Sequence, residues 1–112
     1  MTAYEAAQYA YHEAAHRMQS AAENRVAELV HRAYPDAVEV TVLGDWCEMS
    51  EVRVDLALVI GHGGVVLGEF GEHQTDAFAE LADELVEPFG YLTVVSETDW
   101  LGLQTIPVVV PP

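Results

Sequence analysis

Residues 51–60, EVRVDLALVI, alternate strictly: Val52, Val54, Leu56, Leu58 and Ile60 take one side of an extended chain, and Glu51, Arg53, Asp55, Ala57 and Val59 the other. A period of two with the charges on one side is the pattern of an antiparallel strand that lays one face on a core. Such a strand needs partner strands and a layer to cover its apolar face. AVEVTVL at 37–43 supplies one partner across the segment GDWCEMS, and VVLGEF at 65–70 supplies another, joined through the glycine turn GHGG at 61–64. If Ile60 lies opposite Val65, then Val65 and Leu67 join the core face and Val59, Val66 and Phe70 share the outer one. That outer face is too apolar for plain solvent, so Val59, Val66 and Phe70 are candidate partner-binding residues, covered by the C-terminal segment or by another subunit.

The covering layer comes from two helical segments. Between Ala3 and about Tyr34 there is no Gly or Pro, and Tyr11, Ala15, Met18, Ala22, Val26, Leu29 and Ala33 gather on one helical face before Pro35 stops the run. From Thr75 or Asp76, either a competent N-cap, TDAFAELADELVEPF places Phe78, Leu81, Leu85 and Phe89 on one stripe and ends near Pro88-Phe89-Gly90. YLTVVSE at 91–97 reads as a further strand and GLQTIPVVV as a last one, with Pro107 favouring an edge. The expected fold is a single α+β domain over residues 1–112: a long N-terminal helix, an antiparallel sheet of three strands, a second helix and one or two further strands, with both helices on one sheet face. The same element order occurs in double-stranded RNA-binding domains, but those need basic residues at the start of their second helix, where this chain has Asp76 and Glu80.

Charge narrows the partner classes. Nineteen acids stand against four arginines, with no lysine, for a formal net charge of −15. A surface this negative is repelled by nucleic-acid phosphates and anionic lipid and attracted to basic proteins. A lysine-free chain rich in Ala, Val, Gly and Glu also matches GC-rich coding, which points to a high-GC bacterium or its phage. The single cysteine, Cys47, makes no internal disulfide, and burial is its expected state. The N-terminal MTAYEAAQYAYHEAA lacks the basic region and apolar run of a secretory signal, so a cytoplasmic setting is expected.

Two segments carry candidate chemistry. His12-Glu13-Ala14-Ala15-His16 puts two imidazoles one turn apart with a glutamate between them, the spacing of a zinc site with a general base. AYHEAAH resembles the segment around the zinc ligands of the membrane-anchored AAA+ zinc proteases, which typically reads AYHEAGH. The resemblance covers about seven residues and implies a zinc-dependent hydrolase in which Asp76, near the start of the second helix, completes the metal shell. Ala15 departs from the family's glycine, and within these 112 residues neither an ATPase domain nor a strand ahead of the helix, to form the peptide-binding half of the cleft, is expected. Wheel geometry puts Glu13 almost opposite the apolar stripe, where Arg17 at i+4 is a sufficient partner.

The second segment is the acidic helix. Asp76, Glu80, Asp83, Glu84 and Glu87 carry five negative charges without a basic residue, following Glu69 and Glu72. Glu84 and Glu87 sit where the helix dipole disfavours anions, a cost that invites a functional reason such as docking a basic partner. His62 belongs to the turn, and His31 and His73 read as surface or capping residues. The leading expectation is a small acidic, non-enzymatic protein-interaction domain of inhibitor, immunity or phage-accessory type, needing no cofactor. The alternatives are a zinc-dependent hydrolase using His12, Glu13 and His16 of the 12–16 segment, and a structural subunit of a homo-oligomer or larger assembly.

Overall fold

In the computed structural model, which describes residues 1–47, 51–95 and 99–108, the order is α1 (Ala3–Ala33), β1 (Ala37–Trp46), β2 (Val52–Gly61), β3 (Val66–Glu69), α2 (Asp76–Val95) and β4 (Gly102–Pro107). The four strands form one antiparallel sheet in the order β3-β2-β1-β4. The α+β fold expected from the alternation is therefore present. β4 lies beside β1 at the sheet edge, where Pro107 costs no ladder bond. Val40, Val42, Val54, Leu56, Val59 and Ile106 turn to one face and join Val26, Val30, Phe78 and Leu85 of the helices in a single buried cluster.

The strict alternation of 51–60 breaks inside β2. Thr41 pairs with Leu58 and Val42 with Leu56, so Ala57 is an extra residue, a β-bulge that reverses the phase of everything after it. Val59 consequently enters the core with 0% exposure, while Leu58 and Ile60 turn outwards and are only partly covered. The expectation that Val59 shares an outer face with Val66 and Phe70 is wrong for this reason. A second irregularity pairs Ile60 with Val66 rather than Val65, and Leu67 and Gly68 both come up against the helix side. The turn itself is a short 3-10 segment, His62–Gly64, in which Gly63 and Gly64 have φ of 70° and 79°, the left-handed region that favours glycine.

α2 does not stop at Pro88-Phe89-Gly90. It runs on to Val95, so residues 91–95 of YLTVVSE are helix rather than strand; its residues 96 and 97, and residues 109 and 110 of GLQTIPVVV, lie outside the described residues. An interior proline costs a helix about 3 kcal/mol through the lost N–H and a ring clash. Burying Phe89 and Leu92, which continue the stripe of Phe78, Leu81 and Leu85, returns about 1.5–3 kcal/mol each. Packing outweighs the breaker. Thr75 is the N-cap, its hydroxyl accepting from the Phe78 N–H at 3.2 Å.

α1 is only half docked. Thr2 caps it by accepting from the Glu5 N–H at 3.1 Å, and Ala22, Val26, Ala27, Leu29 and Val30 are its buried residues. Residues 1–14 are all exposed, and of the expected core stripe Tyr11 is 68% and Met18 41% exposed, with Ala33 exposed as well. The helix is about 46 Å long against about 30 Å for α2, so its N-terminal half extends past the layer that could cover it. The molecule is accordingly elongated, 55 × 40 × 22 Å, with a radius of gyration of 15.7 Å where a compact chain of this size has about 13 Å.

At Gly44 the sheet meets the loop before β4. A Cβ there would sit 1.6 Å from the Trp100 carbonyl oxygen, so only glycine lets this backbone cross the core face. Cys47, expected to be buried, is exposed just beyond β1.

Candidate functional site

The buried stripe of α2 decides where its acids point. With Phe78, Leu81, Leu85, Phe89 and Leu92 held in the core, Asp76, Glu80, Asp83, Glu84 and Glu87 are all left exposed. Among the described residues the ion pairs are Arg25–Glu28 at 2.9 Å, Arg32–Glu28 at 3.0 Å and Arg53–Asp55 at 3.3 Å. None of these reaches α2. Arg25 lines the same cleft as Glu84 and Glu87, and Arg32 the same cleft as Glu80 and Glu84, yet Glu28 on α1 takes both guanidiniums. The α2 carboxylates therefore present an acidic ridge whose nearest cations are engaged elsewhere. Glu69 at the end of β3 and Glu72 in the following loop are exposed too, but Glu69 pairs with Leu58 and so faces the open side of the sheet, away from the helices.

His12, Glu13 and His16 lie on the projecting half of α1, all exposed, with the Tyr11 ring edge-on to His12 at 5.7 Å. The clefts between the helices show α1 and α2 antiparallel: Ala33 lies near Ala77, and Met18 near Tyr91. Asp76 thus belongs beside the C-terminal end of α1, about 25 Å of helix away from His16. The structure does not bring together the two histidines and the aspartate that the protease resemblance implies. Among the described residues no group of three or more His, Cys, Asp or Glu side chains is placed to hold a metal ion.

Of the hairpin residues, Val66 and Phe70 are exposed, Phe70 at 73%, while Val59 is not available to any partner. The bulge gives the open sheet face a different composition: Leu43 pairs with Leu103 across β1 and β4, and Leu58, Ile60 and Val66 continue it across β2 and β3. Sequence reasoning missed Leu43 and Leu103, although their alternation with Val42 and Gln104 was the signal. His31 is not an isolated surface residue. Its Nε2 lies 2.8 Å from the Ala37 carbonyl, tying the end of α1 to the start of β1.

No helix among the described residues is long and apolar enough to cross a membrane. Comparison with protein families, with curated proteins and with solved structures gives no match for this chain.

Proposed function

We propose that this chain is a small cytoplasmic, non-enzymatic interaction domain that captures a basic protein through the acidic ridge of α2. The carrying observation is that Asp76, Glu80, Asp83, Glu84 and Glu87 are all exposed and appear in none of the ion pairs among the described residues. Exposed like charges concentrated on one helix raise the local potential, speed encounter with a cationic surface and reject acidic competitors. With a net charge of −15 the rest of the molecule reinforces that field. An inhibitor or immunity-type protein against a basic toxin or nuclease, or a phage accessory protein acting on a host factor, has this character.

The test is capture from a lysate by immobilised wild-type protein beside the variant Asp76→Lys/Glu80→Lys/Asp83→Lys/Glu87→Lys. All four side chains are exposed, so the variant keeps its circular dichroism and melting behaviour. Loss of a salt-sensitive basic partner is the expected result, and undiminished capture rules out the ridge.

A further inference from the structure

We infer that the cleft between α1 and the C-terminal half of α2 is an anchor site for one arginine side chain of the basic partner; the inference rests on the acidic-ridge reading and gives that ridge a fixed point. Met18, Ala21, Ala22 and Arg25 recur at three- and four-residue spacing and so share one face of α1. Glu84, Glu87, Pro88 and Tyr91 do the same on α2, and the two faces line one cleft. Alanine at positions 21 and 22 keeps it open, since a longer side chain at either would occupy the space between Met18 and Arg25. The cleft measures about 240 Å³, short of the roughly 300–1,000 Å³ of small-molecule sites. Its scale is that of one long side chain.

The lining is apolar below and anionic at the rim. Ala22 and Pro88 are buried and form the floor, with Met18 and Tyr91, 41% and 46% exposed, beside it. Glu84 and Glu87 line the same space from exposed positions and enter none of the ion pairs among the described residues. A methylene stem lies well on such a floor, a planar guanidinium donates to carboxylates through its fork, and its face stacks on an aromatic ring. Arginine carries all three features. Lysine has the stem without the fork, and an anion or a neutral apolar group leaves both carboxylates unanswered.

The chain already has a guanidinium at this cleft and holds it away. Arg25 lines the cleft, yet its Nη1 donates to Glu28 Oε1 at 2.9 Å, and the same oxygen accepts from Arg32 Nη2 at 3.0 Å. Glu28 thereby keeps the cation in the cleft's own lining engaged on α1 and leaves Glu84 and Glu87 for an arriving one. A second copy is the poorer occupant, because it brings another −15 against the −15 of the first.

Nuclear magnetic resonance titration with the capped tripeptide acetyl-Gly-Arg-Gly-amide tests this, beside the same peptide carrying lysine or neutral citrulline in place of arginine. The arginine peptide should saturate at about millimolar concentration, with shifts concentrated at the amides of Ala21, Ala22, Glu84, Glu87 and Tyr91. The lysine peptide should bind about threefold more weakly and the citrulline peptide not measurably. Ala21→Leu, which fills the cleft without changing charge, and Glu84→Gln/Glu87→Gln should each weaken binding about tenfold. Asp76→Asn/Glu80→Asn, an equal loss of charge at the far end of α2, should change it by less than about twofold, and Glu28→Gln, which frees Arg25 to compete, should weaken it about threefold. All these side chains are exposed, so the fold survives each substitution. Shifts spread evenly along α2, or equal affinity for the citrulline peptide or for Ala21→Leu, overturn the cleft and leave the ridge to be judged by its capture experiment. A mass above 12.3 kDa that falls back in Ala21→Leu places a second copy there and overturns it as well.

Discussion

Residues 3–21 and 22–33 belong to one helix, with no Gly or Pro between them, yet they live in different environments. The second part buries Ala22, Val26, Leu29 and Val30 against α2 and the sheet, while the first leaves Tyr4, Tyr9 and Tyr11 in water. Both are alanine-rich and both form helix readily, so propensity does not separate them. What separates them is the footprint of α2, which runs along α1 from Ala33 back past Met18 and leaves residues 1–14 exposed. A helix that outlasts its neighbour leaves the continuation of its apolar stripe in water, so one stripe is core at one end and surface at the other.

The largest expected difference between the two parts is in stability. Leu29→Ala removes a side chain only 2% exposed and should cost about 2–5 kcal/mol in urea unfolding, whereas Tyr11→Ala in dilute protein should stay within about 0.5 kcal/mol. Similar losses at both positions would erase the distinction. A smaller effect is expected at the far side of the docked region. Gly44→Ala drives a methyl group into the Trp100 carbonyl and should cost about 1–3 kcal/mol, with the β1–β4 amides losing exchange protection first. An unchanged melting temperature would mean that the loop before β4 does not rest on the sheet as described.

The smallest effect is expected at the histidines of the projecting half of α1. His12→Ala/His16→Ala should leave stability within about 0.5 kcal/mol, and protein purified without chelator should hold no stoichiometric zinc. Stoichiometric zinc that disappears in the double variant would reverse the functional reading and require a third ligand from outside the chain's described residues.

Much of this architecture was legible. Period-two runs located β1 and β2, the unbroken alanine-rich segment located α1, and the stripe of Phe78, Leu81, Leu85 and Phe89 located α2. The phase of β2 was not legible, because in LALVI both alternating sets are apolar after Leu56 and either one satisfies a core; the bulge at Ala57 chose the set containing Val59. The end of α2 was misread because Pro88 and Gly90 are strong local breakers, while the burial of Leu92 is a tertiary effect. The acidic residues on α2 followed directly from the wheel, since fixing the buried stripe leaves them the opposite face. The partial docking of α1 could not be read, since a stripe looks the same whether or not anything covers it.

Hydrogen exchange along α1 separates its docked and projecting parts residue by residue. Amides of residues 22–33 should be protected to near the global stability, while those of residues 6–14 exchange quickly. Equal protection along the whole helix would mean that its N-terminal half is docked as firmly as the rest.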